Sequence, residues 1–232
     1  MIASDLQRAL DNPFWSSLTT RHAHFALGGA LARRYPADIS PIAGLAAPEP
    51  ANIAALETVV AAGDDMATVA RSMPRLPAHW EILYESRVTQ MIRNDPTPLP
   101  EDAVDAATLG PGDVPEMLAL VELTKPGPFR LRTIELGAYI GLRQSGRLLA
   151  MAGERLWIDD LREVSAVCTH PDVQGRGYAR ALIARVVNRM LRAGQTPMLH
   201  VESANRRAID LYRALGFVPR TELSLLYARR IR

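Results

Sequence analysis

The sequence predicts an α/β fold in which a mixed, mostly antiparallel sheet is flanked by helices, preceded by a smaller α/β N-terminal region. Three observations predict it. In the second half a strand hairpin, a strand, a helix, a strand, a helix and a last strand follow in order, the pattern of a sheet covered on its faces by helices. The helix in that series has an apolar stripe at unbroken helical spacing. A run of alternating prolines divides the chain ahead of it. Apolar residues make up 48% and charged residues 22% of the 232 positions, enough apolar material to fill a core.

The division is Pro96, Pro98 and Pro100 within residues 94–102. Each proline removes a backbone donor and holds its neighbours extended, so neither a helix nor a central strand is expected to run through. The expected organisation is therefore an N-terminal accessory α/β region at 1–95, a Pro-rich linker at 96–100 and a second domain at 101–232. In the first region, residues 24–33 and 80–90 have strand-like composition, and 52–62 reads as a helix ending near Gly63. A weak echo between residues 25–44 and 139–153 suggests a degenerate duplicate of the second half.

After the linker, Asp113 is a plausible N-cap for a helix through Met117, Leu118 and Val121, which stops before Pro126. Residues 130–136 suit a short helix. Residues 139–143 and 148–156 read as strands joined by Gln144-Ser145-Gly146. A strand at 163–169 alternates, with Val164, Ala166 and Cys168 on one face and Glu163, Ser165, Val167 and Thr169 on the other. The helix at 178–193 carries Leu182, Ile183, Val186, Val187, Met190 and Leu191 on one stripe, and Gly194 stops it. A short buried strand at 197–201, a helix at 206–215 closed by Gly216 and a strand at 221–228 complete the chain.

Composition excludes several classes. A net charge of +2 leaves no nucleic-acid footprint, and Lys125 is the only lysine in an arginine-rich chain. The lone Cys168 rules out an intramolecular disulfide and a Cys-rich zinc site, which fits a reducing compartment. His22 and His24 share strand parity, but no further ligand completes a metal set, so no metal is expected. Residues 1–21 lack the apolar stretch of a signal peptide, and no run reaches the roughly 20 apolar residues of a membrane span. A cytoplasmic protein with no membrane and no nucleic-acid partner is expected.

Chemistry concentrates at Val173-Gln174-Gly175-Arg176-Gly177-Tyr178-Ala179, between a strand and the apolar-striped helix. Small residues there let backbone approach a ligand, and the unpaired N–H groups of a helix start suit phosphate. The dinucleotide fingerprint fails, because Arg180 stands where it needs a small residue, and no Gly-Lys-Ser/Thr follows. Coenzyme A is then an attractive ligand, the alternative being a loop needed only to turn the chain.

Gln174-x-x-Gly177-x-Ala179 resembles the pyrophosphate signature of the GNAT superfamily of N-acetyltransferases. Asn205-x-x-Ala208-x-x-Leu211-Tyr212-x-x-Leu215-Gly216-Phe217 is similar to that superfamily's second conserved stretch. The segments 146–154 and 167–171 resemble its FR47-like branch, and the resemblance runs from about 106 to 232 in order. It implies a GNAT-like sheet, acetyl-CoA as acyl donor, and direct transfer to a primary amine on a small molecule or peptide. A catalytically inactive acyl-CoA sensor is the alternative, and a homodimer is possible.

The resemblance also implies site roles. The backbone of Val167, Cys168 and Thr169 would pair with pantetheine, and an N–H near Val167 would polarise the thioester carbonyl. The amides of Gln174, Gly175, Arg176, Gly177, Tyr178 and Ala179 would hold the pyrophosphate. Asn205 would bond the cofactor arm or cap the next helix. Tyr212 stands where the superfamily often places the general acid, although a tyrosine on an amphipathic helix also suits a core. Glu163, eleven positions before Gln174, is the expected base, with Glu154 or a water relay as competitors. His200 and Glu202 share a strand face beside the cleft, as substrate contacts or as a satisfied half-buried pair. His170 reads as a loop residue, and Cys168 as a buried side chain rather than a nucleophile.

Overall fold

The computed structural model describes residues 4–232. Residues 1–3 of the expected N-terminal region lie outside them. The chain opens with helices α1 (Ser4–Asp11) and α2 (Pro13–Thr19). A small antiparallel sheet of β1 (Leu27–Gly28), β2 (Ala32–Arg34) and β3 (Ala43–Leu45) follows, then helix α3 (Pro50–Glu57). The strand expected at 24–33 is instead split into the short hairpin of β1 and β2. The expected helix starts earlier, because Pro50 is suited to a first helical position, and it ends at Glu57.

The remaining strands build one sheet of eight. They are β4 (Asp65–Ala70), β5 (Trp80–Ile92), β6 (Ala106–Leu109), β7 (Tyr139–Gln144), β8 (Arg147–Ile158), β9 (Leu161–Thr169), β10 (Thr196–Glu202) and β11 (Val218–Arg230). Their spatial order is β4-β11-β5-β10-β9-β8-β7-β6. Only β9 and β10 are parallel neighbours; the other pairs are antiparallel. The sheet is therefore mixed and mostly antiparallel, as the sequence predicts.

The division at the prolines turns out differently. β5, from the expected accessory region, lies between β10 and β11 and pairs with both. The core of the second half is thus completed by the first. Nor is the Pro-rich segment a free tether: Asn188 receives Leu99 N–H at 2.7 Å and returns its amide to Leu99 C=O at 2.9 Å. Arg93, 3% exposed at the end of β5, donates to the carbonyls of Thr97 at 2.6 Å and Leu215 at 3.1 Å. Prolines cost this segment its strand ladder, and side chains supply the missing partners.

Helix α5 (Tyr178–Arg192) covers one face, packing Leu182, Ile183, Val186, Val187 and Met190 onto Met91, Val164, Leu199 and Val201. Gly194, at φ 70°, turns the chain out of it. The other face is shared. Helix α4 (Val114–Thr124) covers the β6–β9 end through Val114, Met117 and Leu120. Leu10, Phe14 and Leu18 of α1 and α2 cover the remainder, over Val88, Leu156, Met198 and Leu223. Asp113 precedes α4 but makes no side-chain cap to it; its carboxylate accepts Gly110 N–H at 2.7 Å. The segment 130–136 holds only a short 3₁₀ turn, Thr133–Leu136. Helix α6 (Arg206–Ala214) links β10 to β11.

Candidate active site

Two irregularities open the sheet. β9 and β10 pair only from Leu161↔Thr196 to Glu163↔Met198, after which β10 continues against β5 alone. The parting strands leave a gap edged by backbone donors and acceptors. Further along β9, Cys168 faces Met151 and Ser165 faces Gly153, so Ala166 and Val167 both stand against Ala152. This is a β-bulge, and Ala166 adopts φ 51° within it.

The bulge overturns strict alternation. Val164 and Val167 pack on the α5 side, whereas Ala166 and Cys168 pack against α4. Glu163, which precedes the extra residue, therefore does not share a face with Val167 as simple parity requires.

A cleft of about 400 Å³ occupies the gap. Its walls include Val167, Cys168 and Thr169 of β9, Gln174, Gly175, Gly177, Tyr178 and Ala179 of the turn into α5, and Asn205 and Tyr212. Arg176, expected among them, does not line it and points to solvent. Gly175 and Gly177 take φ 81° and 80°, and a Cβ on either would meet open space. Glycine is needed there for the left-handed backbone, not to avoid protein atoms. The N–H groups from Gly175 to Arg180 donate to no backbone acceptor among the described residues; the first such bond runs from Ala181 to Gly177.

The Thr169 hydroxyl is buried without a partner. Two cations missed in the sequence, Arg180 and Arg207, also line the cleft. Each sits in the first turn of a helix; Arg180 follows the glycine turn directly, which was a usable signal, whereas Arg207 opens α6 and carried none. These features suit a ligand carrying phosphates on one arm and amides on the other.

A second cavity of about 320 Å³ adjoins the cleft on the opposite side of the sheet gap, and the two share Thr124, Val167, Asn205, Ala208 and Tyr212. Asn205 caps α6, its Oδ1 receiving Ala208 N–H at 3.1 Å. Tyr212 packs edge-on to Phe217 at 6.0 Å between centroids, and its hydroxyl makes no hydrogen bond among the described residues. Burial pushes this phenol up to about 12, so it stays protonated near neutral pH. Burial also pushes the Cys168 thiol up to about 11, which leaves no thiolate nucleophile.

The carboxylates expected as bases lie elsewhere. Glu163 is fully buried and lines neither cavity. A second bulge, in β8, sets Arg155 and Leu156 against Glu163 alone. Arg155 donates from Nε at 2.8 Å and Nη2 at 2.9 Å, and Leu156 N–H adds a third bond at 3.2 Å. His200 Nδ1 supplies a fourth at 2.8 Å. Burial opposes the charge, but the Arg155 guanidinium and these hydrogen bonds hold the carboxyl well below its usual range. A carboxylate that already takes four N–H donors has no lone pair left for a further one.

Glu154, 7% exposed, is clamped at 3.0 Å by Nε of both Arg162 and Arg189, and it too lines neither cavity. Glu202 differs: it lines the second cavity, takes a bond from the Tyr84 hydroxyl at 2.8 Å and has no arginine partner among the described residues.

His170 is a loop residue, with Arg147 donating to its Nε2 at 2.6 Å. His22 is buried against Ser17 and Tyr35, and burial beside Arg162 lowers it to about 3, so it stays neutral. Among the described residues no cluster of His, Cys, Asp and Glu could hold a metal, and no helix is long and apolar enough to cross a membrane.

The model of the FR47-like protein family matches residues 139–225, which hold the bulge, the glycine turn and Tyr212. A crystal structure of a GNAT-family protein from Novosphingobium aromaticivorans is 35% identical to this chain. It superposes with a TM-score of 0.88 over 95% of this chain and 98% of its own.

The chain belongs to the GNAT family.

That match spans both halves, so the N-terminal region is part of the shared architecture. Two more distant structures share the fold. A GCN5-related N-acetyltransferase from Kribbella flavida is 18% identical, with TM-score 0.62 over 94% of each chain. One from Sphaerobacter thermophilus is 21% identical, with TM-score 0.50 over 74% of this chain and 61% of its own. No curated protein sequence matches the chain. At family level this GNAT protein is an acyltransferase.

Proposed function

We propose that this GNAT protein transfers an acetyl group from acetyl-CoA to a primary amine by direct attack in a ternary complex. The observation that carries the proposal is the meeting of two cavities at Val167 and Tyr212, one edged by unpaired backbone donors and one open to a second substrate.

The amides of 175–180, with Arg180 and Arg207 beside them, hold the pyrophosphate at the positive end of α5. The β9 backbone at Val167, Cys168 and Thr169 pairs with the pantetheine amides, and the Thr169 hydroxyl gains its missing partner. Backbone N–H at Val167 polarises the thioester carbonyl. The amine enters from the second cavity, its nitrogen forms a bond to the acetyl carbon, and the carbon–sulfur bond breaks. The ammonium first gives one proton through water toward Glu202; after attack the nitrogen sheds a second to solvent, the departing thiolate takes one from Tyr212, and solvent returns a proton to the phenolate. No acyl-enzyme forms, consistent with the raised Cys168 thiol.

No feature of the site favours an inactive acyl-CoA sensor. Calorimetry with acetyl-CoA tests the cradle. Gly177→Val forces a β-branched side chain into left-handed backbone and into the open space above the turn, and affinity should fall by about tenfold or more, equivalent to about 1.4 kcal/mol. Unchanged affinity in a folded variant would place acetyl-CoA elsewhere.

A further inference from the structure

Building on the acetyl-transfer reading, we propose that the acceptor is an amino acid with an apolar side chain, its carboxylate held by Arg155. Arg155 lines the second cavity although its side chain is only 13% exposed. A guanidinium offers five N–H donors along two forks. Glu163 takes the side fork, Nε with Nη2. Both N–H groups of Nη1 and the second of Nη2 find no acceptor among the described residues. The edge left for the cavity is thus a planar, paired set of charged donors, the geometry a carboxylate fits. Those donors face the cavity rather than protein atoms, so an occupant supplying two coplanar oxygens is favoured over an apolar amine.

The neighbours sharpen the choice. Arg220 donates to Gln90 Oε1 at 2.9 Å, which fixes the amide so that Gln90 Nε2 donates to Leu10 C=O at 3.0 Å and to His200 Nε2 at 2.9 Å. His200 Nε2 therefore accepts, and its single proton sits on Nδ1, donated to Glu163. His200 spends both ring nitrogens on protein partners, Gln90 and Glu163, and has no free donor to offer the cavity. Lys125, at the rim, points outward to Glu122. Arg155 is the cation with an open donor edge inside the cavity, and Glu202 the carboxylate free of arginine, so the walls present opposite charges to a zwitterion. Phe14, Ala67, Val69, Val88 and Leu225 give the cavity an apolar wall beside these polar groups. A volume of about 320 Å³ suits a small molecule.

The test measures amine-dependent CoA release by the wild-type enzyme with matched acceptors: L-leucine against isopentylamine, L-phenylalanine against 2-phenylethylamine, and L-leucinamide as the uncharged control. The carboxylated member of each pair should have a kcat/KM at least about tenfold higher, carried by KM, the scale of one bidentate charged contact. Arg155→Lys keeps a charge opposite Glu163 but loses the fork; it should erase that preference while acetyl-CoA affinity holds. Should this variant not fold, the wild-type pairs decide alone. Equal or better rates with the decarboxylated amines would overturn the proposal and leave acetyl transfer standing. Leucinamide matching leucine would overturn it in favour of a peptide N-terminus. Acetyl-CoA binding without release by any of these acceptors would also overturn it. Failure to bind acetyl-CoA at all would instead remove the reading on which it rests.

Discussion

Arg155 and Glu163 form a buried bidentate ion pair, and they meet because a bulge in β8 places two residues of that strand against one of β9. The pair lies behind the second cavity, with only the arginine reaching into it. Its role is to hold the Arg155 guanidinium in one orientation and to fix the tautomer of His200.

Glu163→Gln should therefore act on stability. Breaking a buried pair from one side costs about 3–5 kcal/mol, because the remaining charge is left uncompensated. The folded-state carboxyl is held below its unfolded value, so the unfolded chain binds the extra proton as pH falls. The stabilisation is fully present above the unfolded value of 4.5 and erodes as acidity increases below it. Thermal unfolding of wild type and variant from pH 7 to pH 3 checks this: the gap in Tm should narrow at the acid end. A variant with wild-type Tm and turnover reduced by about 10²-fold or more would make Glu163 the base after all.

Tyr212→Phe separates chemistry from packing. The ring stays against Phe217 and the hydroxyl has no protein partner to lose, so stability should change by less than about 0.5 kcal/mol. Turnover should fall by about 10²–10⁴-fold with acetyl-CoA affinity nearly constant, the mark of a lost proton donor. Single-turnover kinetics with a working acceptor make the comparison. Wild-type rates would assign the tyrosine to packing alone.

Removing residues 1–100 should abolish folding. β5 supplies the partner of both β10 and β11, and α1 and α2 cover Leu156, Met198 and Leu223. A fragment from Glu101 onward would expose two strand edges and an apolar face. Circular dichroism and size exclusion should show an aggregated or unfolded chain. A soluble, cooperative fragment that binds acetyl-CoA would restore the two-domain organisation that the prolines suggest.

What could be read from sequence was local. The stripe of α5, the glycines of its entry turn, the capping Asn205 and the hairpin of β7 and β8 announce themselves within a few residues, through periodicity or turn chemistry. The placement of β5 did not, because its partners lie more than 100 positions away and any strand of its composition could have closed a separate sheet. The two bulges were also hidden. Ala166 takes a left-handed backbone without the glycine that normally signals one, and this single extra residue reverses the faces on which the base was sought. Arg155 and Glu163 are eight apart on different strands, and only the register shift sets them together. Arg180 and Arg207 look like ordinary solvated arginines until the glycine turn and α6 are brought to one cleft.

The two cavities are proposed to be halves of one transfer site. Incubating the protein with acetyl-CoA and a panel of primary amines, with thiol release and acetylated amine counted together by mass spectrometry, tests it most directly. Amine-dependent release of CoA is expected, matched one to one by N-acetylated product, with no acetyl group retained on the protein. Tight acetyl-CoA binding with CoA release unaffected by any amine, or an acetyl group left on the chain, would contradict it.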